Sequence, residues 1–261
     1  MMWNNYIYWA IPAILLFISS SILIFVPRKA KIVELFMMTG ILVVTSFIII
    51  LWISQKHPPL RTMGDTRLWY SFFLSAIGYI AYKRWKYKWL LSFSCVVSCV
   101  FIIVNLCKPE LHSTYLMPAL RSHWFIPHVT FYILAYALMV AATVSAIVQL
   151  IKLRKGKEDL ELSLVIDRIV YQGFALLTIG LLIGIVWAIQ AWGHSWNWDT
   201  KETWALITYV AYTVYIHLRL QNRYTRLTMW ILPVAFLLLM ITWLGVDYLP
   251  TASNSMHIYS K

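Results

Sequence analysis

Runs of about twenty apolar residues recur along almost the whole chain, and no other feature limits its folding so tightly. A helix needs roughly that length to cross the hydrocarbon core of a bilayer. Eight segments meet the requirement or come close, at about 6–26, 32–54, 68–82, 89–107, 125–151, 167–191, 202–220 and 227–246. The third is short, so it is either re-entrant or lengthened by its flanks. No alternating barrel pattern is present, and lipid offers backbone N–H and C=O groups no partner outside a helix or a closed barrel. The reading is all-α: a polytopic integral membrane protein of about eight transmembrane helices. It forms a single membrane domain over 1–261, with loops too short to hold a soluble domain.

Composition removes the main alternatives. Of 261 residues, 61% are apolar and 12% charged, whereas a soluble domain averages about 45–50% apolar and about 25% charged. A soluble enzyme, a nucleic-acid-binding domain and a disordered chain are all excluded, and membrane lipid is the surrounding medium. The net charge of +12 speaks to topology, because basic loops stay on the cytoplasmic side. Fifteen of the 22 Lys and Arg fall around 28–31, 83–88, 152–168 and 219–226, on one set of loops. Placing that set inside puts both termini outside. Six of the seven histidines (57, 112, 123, 128, 194 and 257) then lie in outer loops or at outer helix ends, and His217 lies towards the inner side. The first apolar run begins at Tyr6 without a basic stretch before it, so it is read as a span and not as a cleaved signal.

Several motifs carry little. Cys95, Cys99 and Cys107 contain neither C-x-x-C nor C-x-x-C-H, which argues against a thioredoxin-like protein and against a c-type cytochrome. They read as small apolar side chains in a helix. Gly180 and Gly184 form a G-x-x-x-G, read as close helix packing without functional content. The segment from Lys152 to Arg168 reads as a solvated cytoplasmic connection.

The segment 187–204, W-A-I-Q-A-W-G-H-S-W-N-W-D-T-K-E-T-W, holds five of the 14 tryptophans. An interfacial belt accounts for Trp187 and Trp204 near the helix ends. It does not account for Trp192, Trp196 and Trp198, grouped around Gly193 in a polar loop. They form either a shelf for a flat apolar ligand or an aromatic plug. Asp199 and Glu202 read first as a capping box that starts the next helix and sets the angle of the loop.

A haem on such a shelf needs one or two axial ligands, and neutral imidazole is common in that role. His128 follows Pro127 at the start of the fifth span, and His257 lies in the tail after the eighth. His57, His112 and His123 remain open on these grounds. His217 lies roughly 27 Å below Asp199 at 1.5 Å per residue. It is either an interfacial histidine beside Arg219 or a functional intramembrane group.

Residues 192–199, W-G-H-S-W-N-W-D, resemble the W-G-x-x-W-x-W-D signature of haem-handling proteins of cytochrome c maturation. The stretches S-H-W-F-I-P-H-V-T-F-Y-I-L-A-Y-A (122–137), Y-I-H-L-R-L (215–220) and S-M-H-I-Y-S (255–260) are similar to those of the CcsA (ResC) family. That family is the partner of CcsB (ResB) in the System II cytochrome c synthase, and the resemblance runs from about residue 57 to the end. It implies haem b as the molecule handled, with His128 and His257 as axial ligands on the outer face and His217 as a transmembrane ligand. It further implies haem contacts from Trp192, Gly193, Trp196, Trp198 and Asp199, with apocytochrome c and a CcsB-like membrane protein as partners. The chain would then be a subunit of a haem lyase in a bacterial inner membrane, with the Trp loop periplasmic or extracellular. A CcmC-type haem-loading protein and a b-type cytochrome subunit passing electrons to quinone are the rival readings.

Overall fold

A computed structural model describes residues 2–108, 118–221 and 225–250. It is all-helical, with eight α-helices among the described residues: α1 (Tyr6–Leu23), α2 (Ala30–Gln55), α3 (Met63–Trp85), α4 (Lys88–Cys107), α5 (Phe125–Arg154), α6 (Leu160–Trp192), α7 (Thr200–Leu220) and α8 (Thr225–Met240). Six of them are long and apolar enough to cross a bilayer. The other two, α3 and α7, are long enough but more polar: α3 carries Asp65, Arg67, Lys83 and Arg84, and α7 carries Lys201, Glu202, His217 and Arg219. The short third apolar run is lengthened by its flanks into a helix of 23 residues. The chain divides into two compact units, 1–116 and 117–261.

In the first unit α1 packs on α2 and α4, and α3 on α4 and α2. Phe17, Met37, Phe47, Leu51, Leu68 and Cys95 fill the centre. Helix α3 turns small and hydroxyl residues inward, and this is why its sequence reads as weakly apolar. A Cβ at Gly78 would overlap Ser94 Cβ, so α3 and α4 approach closely there. The Ser98 hydroxyl donates to the Ser71 carbonyl (3.0 Å) and the Asn105 amide to the Gly64 carbonyl (2.9 Å). Thr62 and Asp65 form a capping box at the start of α3. Cys95 and Cys99 are buried, as expected of small apolar side chains, but Cys107 at the end of α4 is exposed.

In the second unit α5 packs along α6 and against α8, and α8 packs on α7. The span expected at 125–151 extends to Arg154, and α6 starts at Leu160. The connection between them is therefore only 155–159, and five charges assigned to a solvated loop (Lys152, Arg154, Glu161, Asp167 and Arg168) lie in helix. Asp167 is one of them: it is 9% exposed and held by an ion pair with Arg219 of α7. The loop reading fails there because a carboxylate two turns into a helix is tolerated when a cation from the neighbouring helix meets it. Asp159 caps α6 through the Leu162 N–H (2.9 Å) and receives Lys152 Nζ at 2.6 Å. Helix α8 continues into a π-turn, Ile241–Gly245.

Candidate functional site

The second unit gathers the candidate residues where α5 begins and α6 ends. Residues 118–121 form a short 3-10 turn, and α5 follows from Phe125. His128 sits in the first turn of α5, half-buried. Its Nδ1 lies 2.8 Å from the Gly180 carbonyl in α6. A carbonyl only accepts, so Nδ1 carries the proton, and in the neutral ring Nε2 then holds the lone pair.

Two aromatic rings meet this imidazole, and a third backs one of them. Trp187 stacks on it, with centroids 5.4 Å apart and planes at 25°. Tyr132, one turn further along α5, meets it edge-on at 4.7 Å. Phe125 contacts Trp187 at 5.2 Å. Trp187 is 2% exposed, and its indole N–H donates to the Ala119 carbonyl at 3.0 Å. The interfacial assignment of Trp187 is thus overturned: the residue is buried and tied to the chain entering α5. The interfacial reading fits Trp204 better, which is half-exposed in the first turn of α7.

The loop after α6 is set by backbone geometry. Gly193 caps α6 with φ +83°, a left-handed conformation that glycine adopts without penalty, and its N–H reaches the Ile189 carbonyl. Asp199 caps α7: its carboxylate accepts the Glu202 N–H (2.8 Å), while Glu202 accepts the N–H groups of Asn197 (2.7 Å) and Asp199 (3.3 Å). The expected capping box is therefore present, and both carboxylates are used in shaping the loop. The indoles form two edge-to-face pairs, Trp187 with Trp192 in the last turns of α6 at 4.6 Å and Trp196 with Trp198 between the two caps at 5.8 Å. Trp198 is 68% exposed and has φ +55°. A bulky side chain in that region of φ/ψ costs about 1–2 kcal/mol, here at a large apolar ring left exposed. Trp196 Nε1 and His194 Nδ1 are enclosed without a hydrogen-bond partner among the described residues.

His217 occupies the last turn of α7, exposed, with Nε2 at 2.8 Å from Gln221 Nε2. On another face of the same turn, Arg219 Nε and Nη2 donate to Asp167 at 2.8 and 2.6 Å, and the Tyr215 hydroxyl donates to it at 2.7 Å. His57 lies in the first unit and His123 is exposed before α5. His257 and His112 lie outside the described residues. Among the described residues no cluster of His, Cys, Asp or Glu side chains is arranged to hold a metal ion by itself. A ligand iron would reach this chain through single imidazoles, and His128, with its tautomer set by a carbonyl, fits that role.

The sequence pointed to His128 and the Trp loop as candidates, but not to the packing of Trp187 and Gly184 against His128 or to the ion pair of Asp167. A signal for the first two was present. Gly180, Gly184 and Trp187 are spaced i, i+4 and i+7, on one face of α6, just as His128 and Tyr132 share a face of α5.

Comparison with known proteins shows the family of the chain. A model of the cytochrome c assembly protein family matches residues 8–252. Relatives described as cytochrome c biogenesis protein CcsA include those of Nicotiana tomentosiformis, 32% identical over 87% of this chain and 84% of the relative, and Marchantia polymorpha, 29% identical over 87% and 86%. The CcsA protein of Mesostigma viride is 30% identical over 89% of this chain and 90% of its own length. Among solved structures, the cytochrome c haem lyase CcmF shares the fold, with a TM-score of 0.66 over 93% of this chain at 15% identity. The chain spans 46% of the length of that protein. With the family match running through nearly all of a multi-pass helical chain, the protein belongs to the cytochrome c assembly family and, within it, to the CcsA group.

Proposed function

We propose that this chain binds haem b as its substrate at the outer face of a bacterial inner membrane and presents it for attachment to apocytochrome c. In this reading eight helices span the bilayer, both termini face outwards, and the Trp loop is periplasmic or extracellular. His128 and His257 supply the axial nitrogens, and Trp192, Trp196 and Trp198 hold the porphyrin face and edge. His217 receives haem from the cytoplasmic side, together with a CcsB-like membrane partner. The observation that carries the reading is the 2.8 Å approach of His128 Nδ1 to the Gly180 carbonyl, a partner that accepts a hydrogen bond from Nδ1 and so leaves Nε2 to the metal. The left-handed backbone that turns Trp198 outwards supports it.

The chemistry asked of the chain is positioning. An apocytochrome presents C-x-x-C-H, and its histidine replaces one external imidazole. Each cysteine S–H then adds across a haem vinyl C=C, sulfur to one carbon and hydrogen to the other, with no net redox change. No acid–base pair of this chain is assigned to that step, since Asp199 and Glu202 are engaged in the cap.

Absorption spectroscopy of the purified protein, with and without its partner, tests the proposal. His128→Ala and His257→Ala should each lose low-spin haem, recovered in part by added imidazole. Wild-type haem content and cytochrome maturation in both variants would overturn the ligand assignment.

A further inference from the structure

The G-x-x-x-G of α6 does not pack against another backbone at its second glycine. A Cβ built on Gly184 would lie 2.6 Å from both Cε1 and Nδ1 of His128, and one on Gly180 would lie 3.2 Å from Cδ2 of Tyr132. The imidazole therefore occupies the space that a side chain at 184 would fill. Gly173, on the same helix, is also tight but against a flexible neighbour: the atoms nearest its added Cβ are the terminal methyl and sulfur of Met139, at 3.0 and 3.2 Å, which can give by the few tenths of an ångström needed. A ring hydrogen-bonded to Gly180 and stacked on Trp187 has no such freedom, and Trp187 is itself anchored on Ala119.

We infer that α6 is a socket for His128, with Gly184 and the Gly180 carbonyl as positioning elements that hold the ring as the Nδ1–H tautomer and present Nε2 to iron. The inference rests on the reading of His128 as an iron ligand and adds the residues that make it one. Removing the space at 184 forces the ring outwards and breaks the bond to the Gly180 carbonyl. Partners that orient a metal-bound histidine are typically worth about 10–100-fold in metal affinity.

The test uses the full chain in detergent micelles, with ¹⁵N-labelled histidine and without haem. The His128 resonance is identified by its disappearance in His128→Gln. Wild type and Gly173→Ala should show a proton on Nδ1, and Gly184→Ala should lose that preference. On titration with haem, Gly184→Ala should bind about 10–100-fold more weakly, with imidazole restoring the low-spin spectrum, while Gly173→Ala should match wild type. If Gly184→Ala is too unstable to titrate, it is placed in the His128→Ala background, where the clash is gone and stability should return to that of His128→Ala alone. A wild-type protein protonated at Nε2 overturns the inference. So does Gly184→Ala with wild-type tautomer and affinity, or a Gly184→Ala defect that persists without the ring. In those cases the haem reading still stands if His128→Ala loses haem. Full haem retention by His128→Ala removes the reading on which the inference rests.

Discussion

Asp167 and Arg219 offer the sharpest energetic test of the second unit. The guanidinium meets both carboxylate oxygens, at 2.8 and 2.6 Å, and Tyr215 adds a third hydrogen bond at 2.7 Å. Both side chains are largely withdrawn from solvent, at 14% and 13% exposure. Asp167→Asn removes the anion and leaves the guanidinium enclosed beside a weaker acceptor. Breaking a buried pair in this way costs about 3–5 kcal/mol, whereas replacing both partners by apolar residues is close to neutral. Asp167→Leu with Arg219→Leu should therefore recover most of the loss. Tyr215→Phe leaves the ion pair intact and should cost about 1.5–3 kcal/mol, the value of a hydrogen bond to a charged group. The comparison is Glu34→Gln, which breaks the exposed Lys83–Glu34 pair (46% and 33% exposed) and should cost about 0.2–1 kcal/mol. Unfolding by sodium dodecyl sulfate in mixed micelles, followed by tryptophan fluorescence, reads all four variants against wild type. If Asp167→Asn falls within about 1 kcal/mol of wild type, like Glu34→Gln, the pair is not acting as a buried one and the reasoning fails.

Three further outcomes are expected. Trp198→Gly relieves the left-handed backbone at φ +55°, so unfolding stability should hold or rise by about 1 kcal/mol while haem retention falls; unchanged retention would remove Trp198 from the haem contacts. Trp196→Phe keeps the aromatic face but deletes the indole N–H that has no partner among the described residues, and haem retention should fall below wild type; equal retention assigns the residue to stacking alone. The Lys152 ammonium beside Asp159, with the Leu162 N–H, holds that carboxyl below the usual carboxylate range. A lowered folded-state pKa stabilises the fold above the unfolded value of about 3.9 and ceases to do so as pH falls through the folded one. Hydrogen-exchange protection of Leu162 and Ser163 should therefore persist to about pH 4 and fall in stronger acid; equal protection at about pH 2 would refute it.

The apolar runs announced the helices because in lipid the period and length of the pattern leave few options, and even the capping box of Asp199 and Glu202 could be read from spacing. What escaped the sequence were pairings between elements. Asp167 looked like part of a charged loop because its compensating cation lies 52 residues away on α7. Trp187 looked like an interfacial anchor because nothing local says that Ala119 and His128 will close over it. Gly184 looked like a packing residue because the pattern that marks a close approach does not say whether backbone or a ring will fill the space. Helix α3 was legible only in its middle, since its polar inward face pairs with Ser94, Ser98 and Asn105 of α4.

Helix α6 has a bearing on membrane depth. Its 33 residues give a rod of about 50 Å, well beyond a hydrocarbon thickness of about 30 Å, and modest tilt does not absorb the difference. Asp167 and Gly184 stand 17 residues apart on it, or about 25 Å. A spacing this close to the hydrocarbon thickness makes the helix a ruler with two polar marks: with it centred in a bilayer, the carboxylate and the ring seated at 184 would lie towards opposite edges of the oily layer and neither would have to reside at its centre. Lipids with longer acyl chains should draw one of these marks inwards, which makes bilayer thickness a variable that acts on both ends of the helix together.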